Sequence, residues 1–516
     1  MRKYLLAGVA TLGAAGFAGA AFAQAPAAPP SPTEGTLVTA PSGGPSYANN
    51  NNNYQAAQLP GPVANPTPGT IVIHINGKVV VEGWGLWQTG DNGTFHGAPS
   101  PTSLAGLAGG SGGGFSKVQP QAIGSFARLY FGGDAMATNG LRYGAAIEIR
   151  ENFSGQPDSN TSSGASGYSS LETLYVRRAF VYAAGANWGI IRAGQADGLI
   201  GIFDNGVTTF QFLNSGNLNG GDLEGAANNG SAPPFFFLGQ AGNEYANTKF
   251  VYLSPQIAGF DFGFQYAPNT SNGEGINSTA GGVTNSLVGA GIGTGLACGT
   301  ATTGCPSLSA GPGSQDGSRA LNQTAVGVRY QGVLGGVGIL AYGVWMVSGH
   351  ADYTGPGVNT AAGLANLGAA GVRAVGGQFN GQYDGLNLGS GGLALTYAGF
   401  TVGGNVIGGR VNGQLGLVPK GGAHETAELV GAKYVTGPWT IGIVAERGDY
   451  QGNPLLAGLT QRRGRAIDGG VQYQVAPGMA VWAEYMYQDV WQGGAGGQGT
   501  VNVKSQGFLL GDVVNF

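Results

Sequence analysis

Residues 247–266 read NTKFVYLSPQIAGFDFGFQY: two strand-like runs joined by a short turn, with an aromatic opening the second run. Past the turn, Phe260, Phe262, Phe264 and Tyr266 alternate with Asp261, Gly263 and Gln265. A period of two sends the rings to one face and the small or polar groups to the other, as in a strand with lipid on one side and water on the other. The turn-then-aromatic unit recurs at Gly185-Ala186-Asn187-Trp188, Ala398-Gly399-Phe400 and Gly437-Pro438-Trp439, with a weaker form at Ala476-Pro477-Gly478-Met479. Long Gly-, Asn- and Ser-rich stretches separate successive units. Short turns at one end of the strands and long loops at the other are what a transmembrane β-barrel needs, with the turns in the periplasm. The aromatic beyond each turn then lies at the membrane interface, where amphipathic rings are favoured.

Other runs keep the same alternation. Leu141, Tyr143, Ala145, Ile147 and Ile149 interleave with Arg142, Gly144, Glu148 and Arg150, and Val326, Val328 and Tyr330 with Gly327, Arg329 and Gln331. Each apolar set is expected to face lipid and each polar set the lumen. Residues 337–347 alternate poorly. Strand-like runs fall near 78–88, 121–133, 141–152, 171–184, 188–196, 247–253, 260–267, 322–334, 337–349, 386–397, 400–409, 425–435, 439–450, 465–475, 479–490 and 503–516. The predicted fold is all-β: a transmembrane antiparallel barrel of sixteen strands, an even number that leaves no edge and is wide enough for an aqueous channel.

Composition points the same way. The chain has 102 Gly in 516 residues, only 9% charged residues and a formal net charge of −4. So much Gly disfavours helices. So little charge disfavours a soluble surface of this size, which typically carries about 25% charged residues. No basic surface suggests nucleic acid. Mean hydropathy is +0.02, and past the first residues no apolar run has the 18 to 20 residues, roughly, of a spanning helix. Arg2 and Lys3, the apolar stretch Tyr4–Phe22 and the small-residue site Ala21-Phe22-Ala23 match a secretory signal, so 1–23 is expected to be a cleaved leader. Residues 24–69, rich in Pro, Ala and Asn, are expected to be a disordered linker, and 70–516 the barrel.

The runs Leu174-Tyr175-Val176-Arg177-Arg178-Ala179-Phe180-Val181-Tyr182, Trp188-Gly189-Ile190-Ile191-Arg192-Ala193-Gly194-Gln195 and Asn247–Pro255 followed by Ala258-Gly259-Phe260 resemble the Gram-negative general porins in their α-proteobacterial form. Phe516 is similar to the family's C-terminal aromatic, the barrel-assembly signal. The resemblance spans residues 70–516 and departs at the long 24–69 linker and at Asp512, which interrupts the apolar set Phe508, Leu510, Val514 and Phe516. It implies a homotrimer in an outer membrane containing lipopolysaccharide, a barrel built by the assembly machinery, and a third loop folded into the lumen.

That loop would run from Asp197 to Tyr245 and carries Asp197, Asp204, Asp222, Glu224 and Glu244 with no Lys or Arg. Facing it, the expected lumen charges are Arg142, Glu148, Arg150, Lys249 and Arg329, with Arg128 as a further candidate. Of the adjacent Arg177 and Arg178, one should face the lumen while the other snorkels, lies at a subunit interface or marks a bulge. An all-acidic loop predicts weak cation preference. Cys298 and Cys305, close together in an exported chain, are expected to form a loop disulfide.

The four scattered His and the Gly-rich strings fit no catalytic or phosphate-binding pattern, so neither an enzyme nor a cofactor or metal is expected. The functional expectation is a water-filled channel for passive diffusion of ions and small hydrophilic solutes. The alternatives are a sugar-selective channel, with Phe235-Phe236-Phe237 or Trp482 as stacking surfaces, and a non-conducting structural or adhesive barrel.

Overall fold

The computed structural model describes residues 66–88, 121–152, 175–185, 187–207, 248–269, 320–350, 383–412, 415, 417–419, 421–451, 462–492 and 501–516. Cys298, Cys305, Asp222, Glu224 and the 1–23 and 24–65 segments lie outside them. Sixteen strands form one closed barrel. They are β1 (Ile71–Gln88), β2 (Gln121–Met136), β3 (Arg142–Asn152), β4 (Tyr175–Gly185), β5 (Gly189–Gln195), β6 (Thr248–Leu253), β7 (Phe260–Asn269) and β8 (Ala320–Leu334). They continue as β9 (Val337–His350), β10 (Asn387–Tyr397), β11 (Phe400–Arg410), β12 (Glu425–Thr436), β13 (Trp439–Tyr450), β14 (Arg462–Ala476), β15 (Met479–Gln492) and β16 (Val501–Asn515).

Each strand pairs antiparallel with its sequence neighbours, and β16 closes on β1 through a register running from Lys78↔Asn515 to Gln88↔Ser505. Strand β1 begins at Ile71, and its residues 71–76 pair with β2 alone. At the seam the backbones of Gly77 and Phe516 exchange two hydrogen bonds, of 2.9 and 3.0 Å. The Phe516 ring covers Gly77, where a Cβ would lie 2.8 Å from Cζ. The terminal aromatic is thereby held in the seam.

The alternation is realised as two solvents. Phe260, Phe262 and Phe264 are exposed while Asp261 and Gln265 are buried, and Tyr143, Ile147, Val326 and Val328 point out while Arg142, Glu148 and Arg329 point in. Directly opposed rings beyond the short turns form a rim: Phe260 with Tyr330 (4.8 Å between centroids), Phe400 with Tyr434 (4.2 Å) and Trp439 with Tyr473 (4.6 Å). Trp188 and Met479 are exposed at the same level. Asp512 keeps the outward register, opposite Val81 and Val481.

Residues 337–347 alternate poorly because both faces of β9 are apolar. Trp345 faces out, while Tyr342, Val344 and Met346 face a buried apolar cluster inside the barrel.

Two of the turns carry Ala in the left-handed region, Ala258 at φ 50° and Ala398 at φ 48°, each followed by a Gly at φ 88° or 84°. Both turn positions must have positive φ for the twist of the turn to match that of the strands, and Cβ makes this costly by about 1 kcal/mol. Replacing both alanines by Gly or Asn should raise the urea midpoint of the refolded barrel in lipid vesicles; an unchanged or lowered midpoint would mean the turns are unstrained.

Candidate functional site

Strands β5 and β6 are short, seven and six residues, and between them the chain leaves the wall. From Ala196 it runs inward as a stretch that includes the helical turn α1 (Leu199–Phe203), every residue of which is buried. The contacts of this stretch trace a path over the inner wall. Lys249 Nζ on β6 donates to the Ala196 carbonyl at 2.6 Å, and the Leu199 N–H donates to Gln265 Oε1 on β7 at 2.8 Å. Arg329 on β8 donates to the Ile202 carbonyl at 3.2 Å and lies 5.0 Å from the centroid of Phe203. Asn405 on β11 donates to Asp204 Oδ1 at 3.3 Å, and Asn205 donates to the Gly404 carbonyl at 3.2 Å. The stretch Ala196–Val207 therefore passes from β5 over β7 and β8 to β11.

Glycines make room for it. On β8 a Cβ at Gly327 would lie 2.8 Å from the Phe203 ring, on β11 one at Gly403 would lie 2.7 Å from Val207, and on β7 one at Gly263 would strike Leu199. Three inward positions thus lack side chains where the stretch lies against the wall. Sequence reading misses these seats, although inward parity at Gly263 and Gly327 is a signal that could find them.

The root of the stretch is ionic. Arg178 on β4 bridges Glu148 on β3 (2.5 Å) and Asp197 (2.6 Å), all three side chains being nearly inaccessible. On β8, Arg329 forks onto Asp261 of β7 through Nε (3.1 Å) and Nη2 (2.6 Å). Arg178 is thus the inward member of the adjacent pair. The β3–β4 register steps from Glu148↔Arg178 to Ile149↔Val176, so Arg177 is the extra residue of a β-bulge. Of the expected lumen residues, Arg128, Arg142, Glu148, Lys249 and Arg329 are buried on inward parities, and Asp197 and Asp204 accompany them on the crossing stretch. Arg150 occupies an inward register position, opposite Arg128.

Inward charge is sorted by wall. Strands β1 to β8 carry Lys78, Arg128, Arg142, Arg178, Arg192, Lys249 and Arg329, against Glu82, Asp134, Glu148 and Asp261. Strands β12 to β15 carry Glu425, Glu446, Asp468 and Glu484 against Lys433. Sequence reading does not find this acidic wall. Trp482 faces inward but its indole rests where a side chain on Gly511 would be, leaving it packed in a small apolar cluster with Val80, Ala480 and Val513.

The geometry is that of a barrel with a charged interior and a segment lying across it. A family model described as Gram-negative porin matches residues 102–491. The chain belongs to the Gram-negative porins. It is an outer-membrane β-barrel of a family of non-enzymatic channels. Comparison with curated protein sequences finds no significant match. Among solved structures, a triple mutant of the Rhodopseudomonas blastica porin aligns at 12% identity, covering 86% of this porin and 100% of that chain, with a TM-score of 0.40. The OmpT outer-membrane protein of Vibrio cholerae, in trimer form, aligns at 12% identity over 86% and 99% with a TM-score of 0.43.

Proposed function

We propose that this porin passes ions and small hydrophilic solutes by passive diffusion, with a weak preference for cations, through a lumen narrowed by its third loop. The observation that carries the reading is the sorting of inward charge, basic on β1 to β8 and acidic on β12 to β15, with Ala196–Val207 lying between. Opposed walls of charge set up a field across the passage that orders polar solutes and disfavours apolar ones.

The cation preference now rests on a different group of acids. Asp197 is compensated by Arg178, so it adds little field; the further inward acids are those of β12 to β15. On β12 to β15 the described inward carboxylates, four of them, outnumber the one described inward base, Lys433. Asp222 and Glu224 of the loop would add to that excess.

In a KCl gradient across a planar bilayer, the reversal potential should have the cation-selective sign. Glu446→Gln, Asp468→Asn and Glu484→Gln together should move it toward chloride. A chloride-selective wild type would overturn the preference, and saturable block by one sugar would favour the selective-channel reading.

The porin would act as a homotrimer. Its outward face on β16, β1 and β2 includes Gly83, Ser125 and Ala127, three small residues, and Asp512, a carboxylate that is costly against hydrocarbon. Residues 1–23 would be removed on export, 24–69 would remain as a linker, Cys298 and Cys305 would join, and Phe516 would be read by the assembly machinery.

A further inference from the structure

We propose that the inner wall of β14 and β15 holds one partly hydrated divalent cation, calcium or magnesium, between Asp468, Glu484 and Gln488. The site deepens the cation preference of the passage and rests on that reading of the barrel interior. Its three side chains form one patch. Asp468 on β14 stands directly opposite Met486, so its diagonal neighbours on β15 are Glu484 and Gln488. Such neighbours lie about 7 to 8 Å apart along the backbone, a gap that long side chains span. Gly470 opposite Glu484 and Ala466 opposite Gln488 leave room beside them.

All three groups are buried, at 0%, 1% and 1% exposure. Among the described residues, no donor reaches either oxygen of Asp468 or of Glu484, and neither amide atom of Gln488 is hydrogen-bonded. The two carboxyl groups lie within hydrogen-bond reach of each other. The described inward side chains of β13 to β15 include no Lys or Arg. Lys433 shares a row with Glu484 but stands three strands away, beyond Gly442 and Gly470.

Buried charges are paired or bound to metal, and a buried polar group without a partner points to an ion or water. A proton shared between the two carboxyl groups would do nothing for the Gln488 amide. A hard cation serves all three groups: two carboxylates match its charge, the amide oxygen is a further ligand, and its waters fill the remaining positions. Among the described residues, no three His, Cys, Asp or Glu side chains are grouped to hold a metal by themselves. The cation therefore keeps much of its water and exchanges readily, as a site in the wall of a conducting passage must.

The test uses the full-length protein, refolded in detergent and freed of metal, titrated calorimetrically at neutral pH with calcium chloride and with magnesium chloride. One calcium per chain should bind with a Kd of about 0.1 to 1 mM, the range of loosely held oxygen sites. An Asp468→Asn, Glu484→Gln variant should lose about tenfold or more in affinity, and Gln488→Glu, which adds a third carboxylate, should gain about tenfold. Heat-modifiable gel mobility checks the fold of each variant. Equal affinity of wild type and the double variant would overturn the proposal, as would unchanged affinity in Gln488→Glu or a wild type that binds neither ion. Calcium binding by a barrel that gives no channel steps would support the site and overturn the passive-diffusion reading alone.

Discussion

Truncating Leu199 and Phe203 to Ala should leave the barrel closed while the channel conducts in larger, noisier steps. Both side chains are fully buried at the inner wall, against Gly263 and Gly327. Each truncation removes about 3 kcal/mol of packing, and hydrogen bonds such as Leu199 N–H to Gln265 are too few to replace it. Strand pairing does not depend on these residues, so heat-modifiable mobility should persist. The converse change is Gly327→Leu, which puts a branched side chain where Phe203 lies and should also unseat the stretch. Single-channel recording in planar bilayers checks both. Conductance equal to wild type in both variants would mean that the stretch does not limit the passage.

Arg178→Ala should be among the most destabilising single changes in the barrel. It leaves Glu148 and Asp197, each with a side chain 2% exposed, without their shared cation. Breaking one buried pair costs about 3 to 5 kcal/mol, and here one guanidinium serves two carboxylates and also ties the crossing stretch to β3. Arg178→Lys should recover only part of the loss, because an ammonium cannot fork onto both acids. Combining Arg178→Ala with Glu148→Gln and Asp197→Asn should recover more than the lysine does. Urea unfolding in lipid vesicles measures the series. An Arg178→Ala midpoint within error of wild type would show that the two carboxylates are well solvated.

All sixteen strands are legible in the sequence, because lipid and water on opposite faces enforce a period of two and the short turns punctuate it. Where one of those solvents is replaced by protein, the pattern fades: β9 faces lipid with Trp345 and the buried cluster with Tyr342, Val344 and Met346, so it reads as continuously apolar. The start of β1 is harder to place because residues 71–76 have a ladder on one side only. The Arg177 bulge is one of three readings open in the sequence, since two adjacent arginines leave parity undecided until the partner strand is known. Charges on strands with clean alternation, Arg142, Glu148 and Arg329, are found by parity alone. Asp468 and Glu484 obey the same parity, yet their significance comes from the opposite wall, a relation between residues distant in the chain that no local pattern carries.

The most direct test of the account is the conductance of the purified full-length porin in a planar bilayer. A water-filled passage predicts stable steps, ohmic near zero voltage, whose size rises in proportion to the conductivity of the bathing salt. An intact, heat-modifiable barrel that inserts and gives no steps would contradict it and leave a structural or adhesive role in its place.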